Sequence, residues 1–188
     1  MKERDMARSW SSIRKELEQN LLCEKLRGRV KYFFTHYRGS HDNEARVCVR
    51  VDDKEYVMGN TYNYYNKGYV HLEKEMKRAM EVPMRVWSEN GSFDHDEENR
   101  AVEEYIEKRQ ILDGAFSTYQ VMKSIEKFLQ IDIDDALRSD DLILKMLALI
   151  DRRVGKRRLL NLAVEMERQP QWLQFFYTLR MDAEGLKI

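Results

Sequence analysis

Apolar residues recur with two different periods along this chain, and the change of period marks out its parts. Trp10, Ile13, Leu17 and Leu21 are spaced by three, four and four positions, which places them on one face of a helix over residues 9–22. Ser9 or Ser11 is suited to be its N-cap. After Gly28 the run RVKYFFTHYR is dominated by β-branched and aromatic residues, as a half-buried pleated surface requires. A turn is expected at GSHDN. In the next run Val47, Val49 and Val51 alternate with Cys48 and Arg50, giving a second strand with one apolar face. Asp52, Asp53 and Lys54 supply a tight connection into EYVMG, so the three strands form an antiparallel meander.

Residues 60–69, NTYNYYNKGY, are rich in tyrosine and asparagine. Two readings fit. Either the third strand continues, with Tyr62 and Tyr64 packed on a helix, or Tyr62, Tyr64, Tyr65 and Tyr69 form an adaptable partner-binding loop, large rigid contact area beside flexible hydrogen-bonding groups. Leu72, Met76 and Ala79 or Met80 then return to helical spacing until Pro83 ends the helix. The order to this point is α-β-β-β-α.

WSENGSFDHDEEN, with its Asn90-Gly91 pair and acidic cluster, has the composition of a linker or exposed loop. It suggests an α-β-β-β-α domain over 1–91 and a helical domain over 92–188. Beyond the linker every pattern is helical. Asp94 with Glu97 makes a capping-box signature before Val102, Tyr105, Ile106 and Leu112, and Ser117 with Gln120 repeats it before Val121, Met122, Ile125 and Leu129. Asp132 can cap a short helix containing Ala136 and Leu137, and Ser139 or Asp140 the next. Pro170 suits the first position of a last helix carrying Trp172, Leu173, Phe175, Phe176 and Leu179. The fold class is α+β: a two-layer unit followed by a helical bundle.

Residues 140–162 join a strongly apolar run to a cationic one across Gly155. The expectation is a helix running to a left-handed Gly155, with Arg152 and Arg153 in its favourable C-terminal turn. Lys156, Arg157 and Arg158 then open a second helix, where positive charge opposes the dipole. Their charge needs a partner. It is supplied inside by Asp132, Asp134, Asp135, Asp140 and Asp141, or outside by an anion or acidic partner bound to Arg152, Arg153, Lys156, Arg157 and Arg158.

Composition narrows the functional classes. Thirty-three basic residues balance thirty-three acidic ones, so attraction to nucleic acid or membrane must come from a local patch. Cys23 and Cys48 form no CxxC pair and are expected to be reduced. No apolar run reaches the ~18 residues of a membrane span, and no signal-peptide core is present; a cytoplasmic protein is expected. His36, His41, His71 and His95 make no HxH or HExxH pair, and phosphate-loop, dinucleotide and nucleophile-elbow motifs are absent. No catalytic residue, metal or cofactor is assigned.

The segments SWSSIRKELEQ, LRGRVKY, VDDKEY, LALIDRRVGKRRL and FFYTLR resemble a family of small bacterial cytoplasmic proteins. The resemblance runs along nearly the whole chain and implies a bacterial origin and one co-inherited architecture, without an activity or site residue to carry over. A second resemblance, of topology alone, is to double-stranded RNA-binding domains, whose second helix begins with a lysine-rich stretch. Glu73 and Glu75 interrupt the corresponding KGYVHLEKEMKR. The function expected is that of a non-catalytic interaction or regulatory protein of the immunity or antitoxin type, binding another protein. The alternative is nucleic-acid binding through 152–158, helped by Lys25, Arg27, Arg29 and Lys31.

Overall fold

A computed structural model describes residues 9–36, 45–83, 85–89 and 91–186. The GSHDN turn, His41 and Asn90 lie outside them. The first helix, α1 (Trp10–Lys15), is capped by Ser9, whose hydroxyl accepts from the Ser12 N–H at 3.3 Å. It continues as a π-helical turn, Glu16–Leu21. Trp10, Ile13, Leu17 and Leu21 all face the core as their spacing predicts.

A 3₁₀ turn, Glu24–Leu26, leads into the meander β1 (Val30–His36), β2 (Ala45–Val51) and β3 (Lys54–Asn60). Pairing is antiparallel throughout, Val30 opposite Val51 and Val49 opposite Val57. The hairpin between β2 and β3 turns on Asp52 and Asp53, with φ of 49° and 64°, the doubly left-handed geometry whose twist matches the flanking strands.

The backbone of residues 61–69 is helical, so the third strand does not continue through the tyrosines. The strand stops at Asn60, whose side-chain oxygen accepts from the Asn63 N–H at 2.8 Å. A π-helical segment, Asn63–Tyr69, then runs directly into α2 (Val70–Ala79). At the stretch read as a linker or exposed loop stands a small hairpin, β4 (Val86–Trp87) with β5 (Phe93–Asp94).

The helix α3 (Asp96–Leu112) starts without the expected capping box: its N-cap is His95, left-handed at φ 60° and making no side-chain capping bond. A fourth strand, β6 (Ala115–Phe116), joins the sheet parallel to β3, giving the order β1-β2-β3-β6. At two residues it is too short to leave a period in the sequence. Immediately after it the Ser117–Gln120 box opens α4 (Thr118–Phe128) with both reciprocal bonds.

Asp132 caps α5 (Ile133–Arg138) as expected. The cap of α6 (Leu142–Leu149) is Asp141 rather than Ser139 or Asp140; its carboxylate accepts from the Ile143 and Leu144 N–H groups at 2.9 and 3.2 Å. Two short helices, α7 (Lys156–Asn161) and α8 (Ala163–Met166), precede α9 (Gln171–Glu184), for which Pro170 is the N-cap, one place earlier than expected.

The buried core is continuous across residue 91. Ile13, Leu17, Val30, Val47, Val49 and Val57 join Val121, Ile125, Phe128, Leu144, Leu147, Leu173 and Phe176 in one cluster. A close approach is at Gly59, where a Cβ would stand 2.7 Å from Val121 Cγ2 and Val47 Cγ1, and 3.0 Å from the Ser117 carbonyl oxygen. Beside it the Thr118 hydroxyl donates to the Ala45 and Gly59 carbonyls at 2.5 and 3.2 Å. The valine side chains are stiff and the third atom is backbone, so none of them yields easily. Gly59→Ala is therefore expected to cost about 1–3 kcal/mol, read as a lower midpoint in urea denaturation with the circular dichroism spectrum preserved.

Candidate functional site

The apolar run of 142–150 folds as helix only as far as Leu149, and the next residues leave the axis. Gly155 is extended (φ −79°, ψ 165°) and serves as the N-cap of α7, not as a left-handed stop. The cause lies elsewhere in the chain. Cys23 N–H donates to the Ile150 carbonyl at 2.9 Å and Arg152 N–H to the Leu21 carbonyl at 2.7 Å, so residues 150–152 pair with 21–23. Asp151 turns inward, 1% exposed, and accepts from the Arg153 N–H at 2.7 Å. Arg152 and Arg153 thus stand on a tertiary turn just past the C-cap of α6, outside its last helical turn.

The five cations of this turn have different fates. Arg153 is held by Asp151 in a two-pronged pair, Nε to Oδ1 at 3.0 Å and Nη2 to Oδ2 at 2.8 Å, with its guanidinium 5.6 Å from the Phe128 ring centroid. Lys156 and Arg158 do open α7, and each finds an acceptor. Lys156 donates to the Glu184 carbonyl at 3.0 Å and lies 3.9 Å from its carboxylate, while Arg158 pairs with Asp134 at 3.2 Å. Arg152 and Arg157 are exposed, and among the described residues their side chains make no hydrogen bond or ion pair. Of the upstream aspartates, Asp134 is the one that forms an ion pair with the turn among the described residues. Asp132 and Asp141 are spent on helix caps, and Asp135 pairs with Arg138 at 3.1 Å.

Glu184, at the end of α9, is the second acidic anchor. Its carboxylate accepts from Arg180 Nη1 at 2.5 Å, the Cys23 thiol at 3.4 Å and Lys25 Nζ at 3.4 Å. Burial alone would raise its pKa. The Cys23 hydrogen bond, Arg180 and Lys25 outweigh that and hold the carboxyl below its ordinary value, while burial pushes the Cys23 thiol up. Arg180 itself is 2% exposed; its Nη2 donates to the Val154 carbonyl at 2.9 Å, and its Nε–H finds no acceptor among the described residues. Cys23, Lys25, Arg152, Arg153, Arg180 and Glu184 line a half-open cleft of about 460 Å³. Lys25 is the one member of the earlier basic segment that reaches it. Arg27 donates to the Gln19 carbonyl, Arg29 pairs with Asp52 at 2.7 Å, and Lys31 pairs with Asp53 at 3.0 Å.

Sequence reasoning did not single out Asp151, Arg180 or Glu184. The four-residue spacing of Arg180 and Glu184 is a usable signal of a helical ion pair. Nothing local marks either as meeting Cys23 and Lys25.

The tyrosines of 60–69 divide into two sets. Tyr64 is buried, and Gln110 Nε2 donates to its carbonyl at 2.9 Å. Tyr69 is half-buried, and desolvation raises its phenol to about 12. Tyr62 and Tyr65 are about half exposed. The rings of Tyr64 and Tyr65 meet edge to face at 5.1 Å, and Tyr65 lies 6.0 Å from Tyr69. On the neighbouring elements Met80 and Tyr105 are also about half exposed, and α2 buries none of its side chains completely.

Among the described residues no group of three or more His, Cys, Asp and Glu side chains is arranged to hold a metal ion, and no helix is long and apolar enough to cross a membrane. The architecture is that of an α+β protein in which a cationic turn is folded against the end of its last helix. The chain belongs to the SF0329 protein family, whose profile matches residues 9–181 and so includes both the tyrosine segment and the cationic turn. No curated protein and no solved structure matched it.

Asp151→Asn should lower stability by about 1.5–3 kcal/mol, the contribution of hydrogen bonds to a buried charged group, measured by urea denaturation at neutral pH. A second expectation concerns Glu184. Its pKa in the folded protein lies below the 4.5 of an ordinary glutamate, so the unfolded chain binds the proton more readily. The stabilisation is therefore complete above that value and lost as pH falls through the depressed one. Glu184→Gln should destabilise the protein at neutral pH and flatten the decline of its melting temperature below pH 4.5.

Proposed function

We propose that the protein is a non-catalytic interaction protein that binds a protein partner through the face made by the Asn63–Tyr69 segment, α2 and α3. One observation carries this reading: α2 is a ten-residue helix with no fully buried side chain, although α2 packs on both of its neighbours. Tyr62, Tyr65, Met80 and Tyr105 add half-exposed apolar surface on or beside the same elements. A helix with an apolar face normally covers it against a core, and tyrosine and methionine are enriched where partners dock. The setting we infer is the bacterial cytoplasm, in keeping with two buried, unpaired cysteines and the sequence resemblance. A regulatory role of the immunity or antitoxin type fits a protein that acts by binding alone.

Internal pairing weighs against the nucleic-acid alternative. Arg153, Lys156 and Arg158 already have carboxylate partners, and phosphate-driven affinity scales with the number of cations free to neutralise phosphates.

Affinity purification from the native cytoplasm should recover a stoichiometric protein partner, with the Tyr62→Glu/Tyr65→Glu variant weakening its binding by roughly thirtyfold or more while its circular dichroism and melting temperature stay unchanged. Recovery of no partner, or equal recovery by the variant, would overturn the reading. A gel shift with DNA or RNA that weakens steeply with salt and disappears in Arg152→Glu/Arg157→Glu would replace it with the nucleic-acid alternative.

A further inference from the structure

We propose that the cleft between the 22–26 turn, residues 151–154 and the C-terminal end of α9 binds a phosphate monoester. The first observation is an imbalance of charge. Arg153 is matched by Asp151, and Arg180 by Glu184. Lys25 and Lys156 share that same Glu184 carboxylate, and Arg152 has no carboxylate partner among the described residues. Glu24, also on the wall, lies 4.0 Å from Arg27. Positive charge is left in excess around a concave space, and a phosphate dianion supplies more compensating charge than a carboxylate can.

The second observation is Arg180. Its side chain lines the cleft, is almost wholly enclosed, and keeps one guanidinium N–H without an acceptor among the described residues. Buried donors are nearly always satisfied, and an orphaned one on a charged group is costly. An oxyanion that reached this enclosed N–H from the cleft would supply the acceptor. The same donors already hold one oxyanion, since the Glu184 carboxylate accepts from the Cys23 thiol, Arg180 and Lys25 together.

Size selects the ligand class. A space of about 460 Å³ lies within the usual range for small-molecule sites and leaves room beside a phosphate for the alcohol it esterifies. Arg152 and Lys25 are exposed at the rim, placed to meet the phosphate as it enters. This site is separate from the tyrosine face and stands or falls independently of it.

The test is isothermal titration of the full chain with inorganic phosphate and with O-phosphoserine, at an ionic strength held constant with chloride. Saturable binding of both at one site per chain is expected, with phosphoserine at least as tight as phosphate. Arg152→Gln and Lys25→Gln, both at exposed positions, should each weaken binding roughly tenfold while leaving the melting temperature of the free protein nearly unchanged. Absence of saturable binding, or binding unaffected by both substitutions, would overturn the proposal. Phosphate binding with phosphoserine excluded would overturn the monoester assignment.

Discussion

The enclosure of α6 is the constraint around which the molecule is arranged. From Ile143 to Ile150 no residue is more than 7% exposed, and a helix apolar around its whole circumference must be surrounded by other elements rather than laid on a surface. Helices α4, α5 and α9 pack directly against it. Its one charged residue, Lys145, reaches Glu165 at 2.6 Å, which lets a lysine sit among apolar neighbours without an unpaired charge. The Asp141 cap adds an anion at the positive end of the helix, and the Ser124 hydroxyl fixes that carboxylate at 2.6 Å.

Covering α6 also determines the path of the chain after it. The residues after Leu149 meet the segment leaving the first helix, and two backbone hydrogen bonds tie 150–152 to 21–23. The cationic turn is consequently a meeting point of three parts of the chain: the end of the first helical layer, the loop after α6 and the last turn of α9. Its charges are compensated by Asp151 from within the turn, Asp134 from α5 and Glu184 from the C-terminal helix. Surface ion pairs would contribute little. Arg180 is enclosed, and its hydrogen bond to the Val154 carbonyl ties the last turn of α9 to the residues after α6. The tyrosine segment belongs to a different part of the molecule, where α2 rests on α3 and leaves apolar side chains in solvent.

The sheet couples the early and late parts of the chain in a comparable way. The two-residue strand β6 pairs with β3 beside the point where α4 comes down on Gly59, where a missing side chain permits the close approach and the Thr118 hydroxyl satisfies the Ala45 and Gly59 carbonyls. The buried side chains on either side of residue 91 therefore share one core.

By itself the sequence determined the features that depend on neighbours within a few residues. The period of Trp10, Ile13, Leu17 and Leu21, the alternation of Val47, Val49 and Val51, the Asp52-Asp53 turn and the Ser117–Gln120 box all correspond to elements observed where their patterns lie. The α+β class follows from the same periodicities, as does the position of Lys156, Arg157 and Arg158 at the start of a helix. Tertiary contacts decided where α6 stops, which residue caps it, and that the tyrosine-rich run is helical, with Tyr64 inside and Tyr62 and Tyr65 outside. They also decided that Lys25, Arg180 and Glu184 converge on one cleft. Helical and strand periods report which face of an element is buried, because successive side chains turn at a fixed angle. They carry no information about which distant donor or carboxylate will be brought against that face, since that depends on how whole elements pack around a helix that must be covered on every side.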